Sequence, residues 1–112
     1  MLNILANVLL PGRKTFTAEL RGVSGFTGTG TATYRTAKNG ADQLEIEVRG
    51  IAGETAHFHD ANGNKHIIAL KNGRSRSRFG DIDIQNAVDH RFEIHQNDKV
   101  ILMGDLKMRS QG

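Results

Sequence analysis

Asparagine–glycine pairs punctuate this chain three times, at Asn39-Gly40, Asn62-Gly63 and Asn72-Gly73, each between runs in which apolar and polar residues alternate. Asn and Gly tolerate the left-handed backbone that tight hairpin turns require, and a period of two places alternate side chains on opposite faces of a strand. Together they constrain the chain to antiparallel hairpins. Thr15 to Arg21 alternates in this way, and Leu44-Glu45-Ile46-Glu47-Val48 sets Leu44, Ile46 and Val48 on one face. Further strands are expected at Thr31 to Thr36, on both sides of Asn62-Gly63, at Ser75 to Phe79, at Ile82 to Ile84, at His90 to Ile94 and at Val100 to Met108. The predicted fold is all-β, an antiparallel β-sandwich or barrel-like sandwich of eight to nine short strands. Residues 15–108 form its single domain, 109–112 a tail, and 1–14 an apolar N-terminal segment that reads as a short helix, an edge strand or a partner contact.

With 112 residues, 38% of them hydrophobic but only 5% aromatic, the core must be built from Ile, Leu, Val and Ala around Phe16, Phe26, Phe58, Phe79 and Phe92. There is no cysteine, which removes disulfides, thiolate metal sites and cysteine nucleophiles. A net charge of +3 falls short of the imbalance of a dedicated nucleic-acid binder, so nucleic acid is not the expected partner. The apolar start from Leu2 to Leu10 is too short for a membrane span and lacks the basic residues that open a signal peptide. The default location is therefore cytoplasmic. A secreted or periplasmic chain whose signal peptide had been removed would read the same.

Chemistry concentrates around Asn62-Gly63. A two-residue turn there sets His59 opposite His66 and His57 opposite Ile68, with these side chains on one face. Neutral imidazoles bind divalent transition metals, and His57, His59 and His66, with His95 as a fourth ligand, make a candidate metal site. In this register Asp60 faces Lys65 on the other side. A second reading is open on the same residues. The Asn72-Gly73 turn brings Ser75, Ser77 and Phe79 onto the histidine face, with Phe79 opposite His66, which favours the imidazoles as hydrogen-bonded packing residues. No recognisable nucleophile motif accompanies them, and the expectation is a non-catalytic protein.

Arg74, Arg76 and Arg78 alternate with serines and share one strand face, about 7 Å apart along it. Such a row can grip carboxylates or phosphates, as a polyanion-binding site, or guard an exposed sheet edge. The glycines of Gly25 to Gly30 lack the Lys-Ser/Thr of a phosphate-binding loop and read as a β corner. Two segments, Glu19 to Gly25 and Glu47 to Gly53, echo each other as strand ends running into Gly-flanked bends.

Several runs also resemble the chordin-type (CHRD) domain family. They are Phe16-Thr17-Ala18-Glu19-Leu20, Gly30-Thr31-Ala32-Thr33-Tyr34, Leu44 to Ile51, Ala56-His57-Phe58-His59, and Phe92-Glu93-Ile94-His95 followed by Met103-Gly104-Asp105-Leu106. Ala56-His57-Phe58-His59 is similar to the family's Ala-His-Ile-His signature. The tight Asp60 to Gly63 turn and Gln96, in place of the threonine that closes the second motif, depart from the pattern. The resemblance implies an antiparallel β-sandwich in which His57, His59 and His95 lie near one another. It implies no defined activity, and its members are typically exported. The function expected is thus a non-catalytic interaction or structural module, homo-oligomeric through edge strands or the N-terminal segment in one version. The alternatives are a metal-binding domain and a polyanion binder.

Overall fold

The computed structural model describes residues 14–36, 42–82 and 90–111. The expected N-terminal segment before Lys14, the Asn39-Gly40 turn and most of the strand expected at Ile82 to Ile84 lie outside them. Eight strands are present: β1 (Lys14–Gly22), β2 (Thr29–Arg35), β3 (Gln43–Arg49), β4 (Thr55–His59), β5 (Lys65–Ala69), β6 (Ser75–Gly80), β7 (His90–Gln96) and β8 (Lys99–Gln111). All pair antiparallel in one sheet of order β5-β4-β7-β8-β1-β2-β3-β6. The fold is all-β and barrel-like, with β8 running three residues beyond the expected end at Met108.

The alternation along each strand turns the sheet into an inside and an outside. Phe16, Ala18 and Leu20 of β1, Ala32 and Tyr34 of β2, and Leu44, Ile46 and Val48 of β3 are all buried. Their neighbours in sequence are Thr, Glu, Arg and Gln, which face outward. A bulge between Ile94 and His95 inserts one extra residue of β8, so the successive Ile101 and Leu102 are both fully buried. Gly104 is required where β8 crosses β1, because a Cβ there would sit 2.2 Å from the carbonyl oxygen of Glu19, a backbone atom that cannot step aside.

Among the described residues the sheet has two free edges, β5 and β6, and they come together at the seam of the barrel. Asn72 (φ 54°) and Gly73 (φ 78°) form the expected two-residue turn, with Lys71 and Arg74 exchanging backbone hydrogen bonds of 2.8 and 3.0 Å. Beyond that pair the expected ladder does not continue. β5 takes its hydrogen bonds from β4 and β6 takes its own from β3, so Phe79 is not the strand partner of His66. The seam closes through side chains instead. Phe58 of β4 is fully buried, with its ring 4.9 Å from that of His66, 5.0 Å from Phe79 and 5.3 Å from Phe92.

The β4–β5 hairpin departs from expectation by one residue. Its loop is not a two-residue turn over Asn62-Gly63. Gly63 N–H donates to the Asp60 carbonyl, Asp60 N–H donates to the Asn64 carbonyl, and Gly63 takes φ 85°. This is the three-residue loop in which a type I turn is closed by a left-handed glycine. Asp60 dictates that choice, since its Oδ1 accepts from Asn62 N–H at 2.8 Å and Asn64 N–H at 3.0 Å. The observed partners are His59↔Lys65, Phe58↔His66 and His57↔Ile67. A one-residue slip flips every side chain of the second strand, so His66 leaves the face of His57 and His59.

Two outcomes follow from this core and loop. Phe58→Ala opens a hole between four strands, and chemical denaturation should show a loss of about 3–5 kcal/mol. Asp60 is held down from 3.8 to about 2 by its hydrogen bond from His66, against the opposing effect of burial and with help from the Asn64 and Asn62 amides. A depressed carboxylate stabilises the fold above its unfolded value and loses that contribution as pH falls through the folded one. The urea midpoint should therefore drop between about pH 4 and pH 2, and Asp60→Asn should flatten this step.

Candidate functional site

The outer wall of the barrel carries the chemistry, and one part of it gathers three imidazoles. His57 and His59 are two residues apart on β4 and so share a face. His95 on β7 is the Cα partner of His57, and the two strands are registered through this pair. The three rings form a triangle. Centroids are 5.3 Å apart for His57 and His59, 5.5 Å for His57 and His95, and 5.6 Å for His59 and His95. His57 and His95 stack at 22°, while His59 meets both edge-on.

Neighbouring side chains support this triangle. Glu93, two residues before His95 on the same face, places Oε1 3.4 Å from His95 Nε2. Gln96 donates from Nε2 to the carbonyls of Ala52 (2.7 Å) and Thr55 (2.9 Å), tying the end of β7 to the start of β4. Burial holds the His57 pKa below the ordinary imidazole value, as do Lys65, His59 and His95, while Asp98 acts the other way. The neutral ring of His57 is thereby favoured over the charged one. As the side chains stand, no group of three His, Cys, Asp or Glu among the described residues is arranged to hold a metal ion.

The remaining histidine of the expected site lies elsewhere. His66 points to the inner side, stacked on Phe58 and edge-on to Phe79, with its Nε2 2.9 Å from Asp60 Oδ2. It packs and orders the hairpin loop, and Asp60 is its partner rather than facing Lys65. Glu93 was not among the residues singled out from sequence. The i, i+2 spacing of Glu93 and His95 in an alternating run was its available signal.

Arg76 and Arg78 are on the outer face of edge strand β6. Arg76 and Arg78 both reach Glu45 Oε2 through their Nε, at 3.2 and 3.4 Å. Burial raises the Glu45 pKa, but the hydrogen bonds and charges of the two arginines outweigh it and hold the carboxyl below its usual value. Arg74 sits at the turn, where an open cleft of about 790 Å³ runs along the seam. Arg49, Lys71, Arg74 and Arg76 line it, with Glu47 the one acidic lining residue among those described, and the hydroxyls of Ser75 and Ser77 lie 2.8 Å apart there. Arg49 joins this basic set because β3 pairs with β6 across a long sequence separation, and Lys71 because the Asn72-Gly73 turn sets it opposite Arg74. No helix among the described residues is long and apolar enough to cross a membrane.

No family model matches the chain and no curated protein matches it.

Proposed function

We propose that this chain is a non-catalytic binding module working through the outer wall of a filled barrel, with the basic seam cleft as its contact for an anionic partner. The observation that carries this reading is the division of polarity. The described interior is packed with apolar side chains and buries no polar or charged residue. Polar groups able to recognise a ligand therefore lie outside. Among the described residues the seam cleft joins four basic side chains to one acidic one, next to a strand edge without a partner strand. Guanidinium forks and an ammonium group suit carboxylate or phosphate groups arranged along an extended ligand.

Fluorescein-labelled inorganic polyphosphate tests this by anisotropy. The affinity should fall steeply with added salt, because neutralising the polyanion releases its counterions. The triple variant Lys71→Gln, Arg74→Gln, Arg76→Gln should bind at least about tenfold more weakly with little change in melting temperature. Absence of binding at low salt, or equal binding by the variant, would overturn the reading.

Self-association is the second reading, and Ile67 favours it. This residue is 53% exposed on the outer face of edge strand β5. An apolar side chain on a strand edge with no partner strand among the described residues invites pairing with another copy. Sedimentation velocity over a range of concentrations should then show a dimer that Ile67→Lys abolishes, and a monomer at every concentration would exclude it.

A further inference from the structure

We propose that His57, His59 and His95 form a binding site for a single divalent transition ion of the imidazole-preferring kind, zinc first among them. This goes beyond the seam cleft and rests on different residues.

The three rings are already spaced as ligands of one ion would be. A tetrahedral ion bound to three imidazoles at about 2.0–2.1 Å holds the ring centroids about 5 Å apart. The observed separations are 5.3, 5.5 and 5.6 Å, all three sides of the triangle at once. Two ligands come from alternate positions of one strand and the third from the paired position of the next, so the spacing is built into the sheet. The strand pairing by itself brings the three side chains together.

What must change is the direction of the rings. They rest on one another, two of them within 22° of parallel, which is why no group stands ready to hold an ion. All three project outward from the sheet, His59 exposed and His57 and His95 half-buried. Turning an imidazole about its side-chain bonds re-aims its nitrogens without disturbing the core. An ion offers a stronger interaction than the ring contacts it displaces.

The surroundings also fit. Glu93 beside His95 can accept the proton on one ring nitrogen and leave the other free, the usual role of a carboxylate behind a ligating histidine. It is a positioning residue in this scheme. Lys65, the strand partner of His59, opposes a cation, and Glu93 and Asp98 offset it. With three imidazoles and no thiolate in the chain, the donor set suits zinc or copper(II) rather than calcium or magnesium. His66 is left out by the hairpin register, being on the inner face and bonded to Asp60.

Calorimetric titration of the tag-free full chain with zinc chloride tests the assignment, with cobalt(II) as a spectroscopic probe of ligand number and geometry. One ion per chain is expected, with cobalt bands of a four-coordinate nitrogen-rich site. His59→Ala and His95→Ala should each weaken zinc at least tenfold. His66→Gln, which keeps a donor toward Asp60, should leave the affinity unchanged. Melting of each metal-free variant establishes that it is folded before titration. No stoichiometric binding, or equal affinity in the folded His59→Ala and His95→Ala variants, would overturn the proposal. So would a loss caused by His66→Gln to the same degree.

Discussion

A sheet of eight strands has two free edges, and in this protein they are drawn together by one aromatic cluster. Phe58 of β4 meets His66 of β5, Phe79 of β6 and Phe92 of β7. Between β5 and β6 the backbone supplies little beyond the Lys71–Arg74 turn. Burying large rings across this gap removes apolar surface from water at the point where hydrogen bonding stops, and aromatic pairs at these distances add about 0.5–1.5 kcal/mol each beyond burial. The barrel is therefore closed by side chains at its seam and by backbone everywhere else. The cleft outside the seam, with its arginines, exists because the ladder ends there.

Closure also decides where chemistry can occur. Once the inner face is filled by Ile, Leu, Val, Ala and Phe, an imidazole or guanidinium has two options. It points outward, as His57, His59, His95, Arg76 and Arg78 do, or it enters the wall with a bonded partner, as His66 does with Asp60. The same residue type thus has two roles separated by one residue of register. In the first the ring keeps access to solvent and to ligands. In the second its hydrogen bond and its stacking on Phe58 order the hairpin.

The two candidate surfaces depend on different strand pairs. The arginine strand lies against β3, whose Glu45 takes up part of its charge, while the histidine triangle straddles β4 and β7. The β4–β7 ladder is the thinnest in the sheet, registered at His57↔His95 and braced by the Gln96 side chain. Ring stacking there contributes to holding the two strands together. A group that bridged the rings would reinforce the same junction.

Much was legible in the amino-acid sequence by itself. Period-two alternation identified the strands and the inward faces of β1, β2 and β3, because each strand with one buried face must repeat at that interval. The left-handed turn at Asn72-Gly73 was legible for a similarly local reason. The arginine row on an outward face followed from the same parity. The register at Asn62-Gly63 was not legible, since the same dipeptide serves a two-residue turn or the end of a three-residue loop, and the Asp60 side chain selects between them. From that choice came the removal of His66 from the histidine face. The order β5-β4-β7-β8 lay further out of reach. Pairing β4 with β7 joins residues far apart in the chain, and only packing of the whole core rewards that closure. Local sequence determined which residues face out; tertiary structure decided which of them meet.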